Sequence, residues 1–187
     1  MAVSPDAANI STGPGILWQA PLATVEPVDH AVVWPSGWVR IGYSAEGHQA
    51  SIALTIANVE VAELFEPVKR VTTGRDIRVG FAMAEITLSK LKLGLNGGLV
   101  TPMAGAPSPG SWLEPPAVGA EVRTMLGWDS EDGQERIIWR KCIQAGTLTT
   151  PRRKGADFAR FPVEFALETP AGGLAPFRHG FATARVA

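Results

Sequence analysis

The sequence has a single cysteine, Cys142, so no intramolecular disulfide can form and a zinc site built on several thiolates is excluded. Histidine is scarce as well. His30, His48 and His179 lie far apart with no HxH or HExxH spacing, and they read as ordinary surface or turn residues, not metal ligands. No charge of either sign dominates: 17 Lys+Arg face 18 Asp+Glu, a net charge of -1, which leaves no bulk attraction to nucleic acid or to an anionic membrane. No run approaches the roughly 18 apolar residues of a membrane helix. The first twelve residues carry Asp6 and no basic residue ahead of an apolar run, so they do not read as a secretion signal, and folding in the cytoplasm is expected.

The motifs of common chemistries are also missing. There is no G-x-S-x-G elbow, and Asn96-Gly97-Gly98 follows a helix with no GK[ST] after it, so it is not a phosphate loop. The acidic stretch Asp129 to Gly133 fails the calcium-loop spacing because Gly133 falls where an acidic ligand is needed; a hairpin turn is the simpler reading. Cys142 sits in the apolar-mixed run IIWRKCIQ, which suits a buried side chain better than an activated thiolate. No acid/base or nucleophile grouping emerges, so the sequence gives no support for an enzyme and implies no cofactor.

What remains is a chain of 187 residues that is 45% hydrophobic and 19% charged, long enough to bury roughly 70% of its unfolded surface in one domain. Twenty glycines and fifteen prolines make it turn-rich, favouring strands over helices. They concentrate in residues 1–36, which read as an extended N-terminal arm ahead of a β domain spanning 37–187, and in 101–119, which reads as a long loop.

Strands are expected over Gly37–Tyr43 and His48–Ile56, joined around Glu46-Gly47, with alternation continuing through Asn58–Glu63. The charged stretch Leu64–Arg75 reads as a long exposed loop. Ile77, Val79, Phe81 and Met83 then share one face of a half-buried strand, Asp76–Met83. A period change through Ala84, Leu88, Leu91 and Leu95 predicts one short helix over 87–95, with Thr87 as N-cap and Asn96-Gly97-Gly98 as the stop. Val122–Trp128, Glu135–Gln144 and Phe161–Leu167 complete the strands. Of six tryptophans, Trp18, Trp34 and Trp112 fall in arm or loop segments where the chain has little core to offer, so they are candidate contacts with another subunit.

The order of these parts resembles the major tail tube protein of long-tailed bacteriophages. The resemblance rests on the W-x-x-I-G-x-x-x-x-G opening (Trp38, Ile41, Gly42, Gly47) and the charged loop with Glu66-Pro67-Val68. It rests also on the strand ending in Ala84-Glu85 before a short helix, and on Arg153-Lys154-Gly155 ahead of an F-P-V-x-F strand. It spans residues 37–168 and implies a mainly β subunit, a β-sandwich or barrel with one short helix and extended arms. Such subunits assemble as hexameric rings stacked into a hollow virion tail, through which DNA passes without specific binding. Further implied partners are the tape-measure, tail-tip and tail-terminator proteins, and no membrane.

On that resemblance, His48–Glu63 and Asp76–Met83 would form the lumen wall, with Glu60 and Glu63 nearer the lumen than the basic run Arg152-Arg153-Lys154. The loop residues Phe65, Glu66, Pro67, Val68, Lys69 and Arg70 would reach the neighbouring ring. Two alternatives stand beside it: a secretion-system tube subunit of the same ring architecture, and a monomeric β-sandwich module whose exposed tryptophans stack on sugar rings.

Overall fold

The computed structural model describes residues 13–104, 110–150 and 160–182. Within them the chain forms β1 (Ile16–Pro21), β2 (Val39–Arg40), β3 (Ser44–Val59), β4 (Lys69–Met83), α1 (Leu88–Gly94), β5 (Leu99–Pro102) and β6 (Ser111–Glu114). These are followed by β7 (Thr124–Asp129), β8 (Glu135–Gln144), β9 (Phe161–Leu167) and β10 (Phe177–Phe181). Eight strands build one antiparallel sheet in the order β2-β1-β7-β8-β9-β4-β3, with β10 paired to β8. Among the described residues the protein is mainly β with one α-helix, as its turn-rich composition predicts.

Period-2 alternation builds the core. Ile77, Val79, Phe81 and Met83 of β4 turn inward and are buried. Val79, Phe81 and Met83 meet Phe161, Val163 and Phe165 of β9, Leu126 and Trp128 of β7, and Ile137, Trp139 and Cys142 of β8. Leu17, from the other end of the sheet, joins the same cluster. His48 of β3 stacks on Trp128 and Trp139 at 4.6 and 5.3 Å between ring centroids. Strands distant in the sheet order therefore share one core, which requires the sheet to curl on itself.

β9 occupies the expected residues, Phe161–Leu167. β8 pairs with it only over Phe165–Leu167, so Pro162, which has no N–H to donate, lies where β9 has β4 as its single neighbour. The helix is also where the periodicity places it: the Thr87 hydroxyl accepts from the Lys90 amide at 3.4 Å, and Asn96, Gly97 and Gly98 all take positive φ beyond its end. Leu93 takes the deepest position, while Leu88, expected on the buried face, stays exposed.

Four expectations need correction. Residues 13–36 are not an arm. Pro14 and Pro21 bound a six-residue strand, β1, that lies inside the sheet between β2 and β7, and the stretch after it crosses the opposite sheet face as a strap. Trp34 and Trp38 of that strap form a second cluster with Ala20, Met125 and Ile138 of the sheet. Gly37–Tyr43 does not form a hairpin with the strand that follows: only Val39 and Arg40 are strand, and they pair with Gln19 and Trp18. Gly47, φ +76°, instead serves a register irregularity between Ser44 and His48 near the start of β3. Residues 101–119 are not loop throughout, because Leu99–Pro102 and Ser111–Glu114 form a two-stranded ribbon. Finally, Leu64–Arg75 is not one long loop: β4 begins at Lys69, where Val71, Thr72 and Thr73 supply β-branched residues that favour strand.

Candidate assembly interface

β3 and β4 are the longest strands among the described residues and form a hairpin paired from Ser44↔Met83 to Val59↔Lys69. The Val68 amide donates to the Val59 carbonyl at 2.9 Å to close its tip. β9 supports β4 only from Arg78 onward. Lys69–Asp76, eight residues or roughly 26 Å of strand, therefore projects past the body with β3 as its sole strand partner among the described residues. A bulge interrupts the ladder between Thr55 and Ile56, where the Thr73 hydroxyl donates to the Thr55 carbonyl at 3.3 Å.

Every residue from 49 to 66 is exposed, although the side chains are not those of a solvated ribbon. Ile52, Leu54 and Ile56 alternate onto one face and are 53, 56 and 54% exposed. Ile52 stands opposite Ile77, and Ala50 opposite Val79, so this face continues the core face of the sheet out beyond the body. The other face carries small groups, Ser51, Ala53, Thr55 and Gly74, beside Asp76 and Arg78. An isolated two-stranded hairpin is marginal in water, and three exposed aliphatics on one face add an unmet demand for burial.

Both edges of the projecting part are open. Among the described residues, β3 pairs only with β4, and Lys69–Asp76 pairs only with β3. Where the hairpin leaves the body, Arg78 bridges Asp76 at 2.8 Å and Glu164 of β9 at 2.5 Å, and these bonds hold its guanidinium well above the ordinary arginine range. At the root, Glu46 pairs with Arg160. Further out the charges are unmatched: Glu60, Glu63, Glu66, Lys69, Arg70 and Arg75 make no intramolecular ion pair among the described residues.

The hairpin end thus gathers Phe65, Glu66, Pro67, Val68, Lys69 and Arg70 with Glu60 and Glu63. Phe65 is fully exposed in the tip turn. Lys69 and Arg70 begin β4, while Glu60 and Glu63 lie just past β3, at the rim of the ribbon and not along its faces. The basic run Arg152-Arg153-Lys154 lies outside the described residues. The alternation of Ile52, Leu54 and Ile56 onto one face can be read from the sequence but their exposure cannot, since alternation reports a face without saying what covers it.

The tryptophans separate. Trp34 is buried within its own chain, 9% exposed, which corrects its reading as a contact for another subunit. Its ring lies against Gly127, where a Cβ would come within 2.3 Å of it, and its Nε1 donates to Asp129 at 2.5 Å. The Arg136 guanidinium stands 4.5 Å from the Trp34 ring, pairs with Asp129 at 2.6 Å, and donates to the Asp29 and Val32 carbonyls at 2.8 and 2.7 Å. Trp18 is half-buried and stacked on Trp34. Of the three, Trp112 alone is open, 62% exposed on the β5–β6 ribbon.

Elsewhere the chemistry is quiet. Burial pushes the Cys142 thiol up to about 12, which leaves it protonated and inert. Among the described residues no three His, Cys, Asp or Glu side chains are grouped to hold a metal ion, and no helix is long and apolar enough to cross a membrane. Comparison with protein-family models and with curated proteins finds no match.

Proposed function

We propose that the protein is a self-assembling structural subunit of a bacteriophage tail tube, closing into rings, hexameric by the family resemblance, that stack around a channel for DNA. The observation that carries this reading is the projecting β3–β4 hairpin, with two open edges and an uncovered aliphatic face. A ribbon whose left and right edges are both free joins its neighbours in a heterologous way, β3 of one copy to β4 of the next, and such contacts close into a ring when the rotation per step allows it. Full burial of an exposed aliphatic side chain is worth roughly 1.5–3 kcal/mol, so covering the half-exposed Ile52, Leu54 and Ile56 contributes on the order of 3 kcal/mol per copy. Ring closure would supply what the isolated hairpin lacks.

In such a ring the aliphatic face packs toward protein and the opposite face toward the channel. The channel wall is then made of Ser51, Ala53, Thr55, Ala57, Gly74, Gly80 and Ala82, with Arg78 neutralised by Asp76 and Glu164, and with Val59, Val71 and Lys69 toward the tip. A wall of mostly small groups, with Arg78 paired and Lys69 confined to the tip, lets a polyanion pass without gripping it, since strong phosphate contacts would retard it. Glu60 and Glu63 fall on the rim, beside the Phe65–Arg70 turn that meets the next ring. Tape-measure, tail-tip and terminator proteins are the partners this reading implies, and the virion tail is the location.

The test is direct. Concentrated purified protein, with and without a tail-tip initiator, is examined by electron microscopy and sedimentation velocity. Rings or tubes of uniform diameter are expected, and Leu54→Ser should abolish them without changing the subunit's circular dichroism. A wild-type chain that stays monomeric in every condition would overturn the proposal.

A further inference from the structure

The two limbs of the hairpin carry opposite charge. Residues 44–63 hold three carboxylates, Glu46, Glu60 and Glu63, and no lysine, arginine or aspartate. Residues 68–83 hold four cations, Lys69, Arg70, Arg75 and Arg78, against the single carboxylate of Asp76. Near the body these charges are already matched, Glu46 by Arg160 and Arg78 by Asp76 and Glu164. Toward the tip they are not: Glu60 and Glu63 on one limb, and Lys69, Arg70 and Arg75 on the other, have no intramolecular ion-pair partner among the described residues.

We infer that this asymmetry selects which edges of two copies may join. The occupant of each open edge is a second copy of this chain, and the acidic β3 limb accepts only the basic β4 limb of its neighbour. The inference rests on the ring reading above. Two open edges permit three seams: β3 to β3, β4 to β4, and β3 to β4. Between ribbons that point the same way, the first two are two-fold contacts that turn the aliphatic faces to opposite sides and set like-charged tips side by side. The third is the seam that repeats, and it alone sets carboxylates beside cations.

Cyclic symmetry also fixes the height of the contact. Val59 and Lys69 are direct cross-strand partners, so the Glu60 end of β3 and the Lys69–Arg70 start of β4 lie at one level of the hairpin. Neighbours related by rotation about the ring axis keep that level, which brings Glu60 of one copy to the Lys69–Arg70 end of the next. Apolar burial supplies the adhesion and charge rejects the wrong partner edge.

Charge exchange tests this. One variant carries Glu60→Lys and Glu63→Lys; a second carries Lys69→Glu, Arg70→Glu and Arg75→Glu. All five positions are exposed, so both variants should keep the wild-type circular dichroism and thermal unfolding. Each alone now sets like charges at the β3–β4 seam, and the concentration at which it assembles should rise at least ~10-fold. An equimolar mixture should assemble near the wild-type concentration, with the two variants in equal amounts by native mass spectrometry. Raising NaCl from ~0.1 to ~1 M, which shortens the Debye length from ~10 to ~3 Å, should weaken wild-type assembly and help each single variant.

If the wild type forms rings and either variant alone does so at the same concentration, the charge inference is overturned and the ring reading stands. If each variant fails and the mixture also fails, the inference is overturned as well. A wild type that forms no rings removes the ring reading, and this inference goes with it.

Discussion

The strap over residues 22–38 and the β3–β4 ribbon begin from similar handicaps and reach opposite solutions. Neither has a core of its own. The strap lacks a ladder to satisfy its backbone, so side chains do that work: from the sheet, Arg136 donates to two of its carbonyls and Arg178 to that of Val28 at 3.1 Å, and from the strap itself Trp38 Nε1 donates to the Val25 carbonyl at 2.9 Å, while Arg140 pins Glu26 at 2.6 Å. The ribbon satisfies its inner ladder alone, which leaves its outer edges, aliphatic face and tip charges uncommitted. Irregular backbone is held by what reaches it, whereas a regular ribbon is free to hold something else.

Substitutions should divide along that line, and the largest effect falls on the strap. Arg136→Ala removes one partner of a buried ion pair, strands the Asp129 carboxylate and frees the Asp29 and Val32 carbonyls, so urea unfolding should report a loss of about 3–5 kcal/mol. Gly127→Ala comes next. Its Cβ would meet the Trp34 ring at 2.3 Å, and lifting the strap to relieve that contact should cost about 1–3 kcal/mol by the same measurement. A variant as stable as the wild type would show that the strap floats.

On the ribbon, Ile52→Ser and Ile56→Ser should each change subunit stability by less than about 1 kcal/mol, because both side chains are only half covered within the chain. Light scattering should nevertheless show assembly suppressed. A large loss of subunit stability from either would mean that the face is covered within the chain.

The smallest effect is expected where the two regions share support, at His48. Burial against Trp128 and Trp139 lowers its pKa from 6.5; Glu135 opposes that shift and His179 adds to it. As the pH falls through about 6.5 the unfolded chain takes up a proton that folded His48 resists. The stability from neutral His48 is thus complete above that pH and declines below it. His48→Phe keeps an aromatic ring on the tryptophans and should flatten the slope of stability against pH between 7 and 5; an unchanged slope would assign it to other groups.

These contrasts also explain what could be read from the sequence. Asp76–Met83 and Phe161–Leu167 were legible because one face is core and the other is not, which is the condition for a period of two. β1 was hidden because Leu17 faces the main core while Trp18 and Ala20 face the strap, so both sides are apolar and no alternation shows. Lys69–Thr73 was hidden for the opposite reason, since both of its faces meet water. The burial of Trp34 depends on Arg136 and Asp129, about a hundred residues away, and no local pattern carries that contact. The hairpin tip was legible as a cluster of Phe65, Glu66, Lys69 and Arg70 because those residues are adjacent in the chain. Its reach was not, because strand length was mistaken for loop.

β4 runs without a break from the ribbon into the body, where Arg78–Met83 is laddered to β9. A pull along the ribbon axis therefore loads those hydrogen bonds together, in shear, and does not peel them one at a time. The same strand that offers an edge to a neighbour is the tendon by which axial tension passes into the domain, and Arg78, clasped to Glu164 at the point of entry, is its anchor.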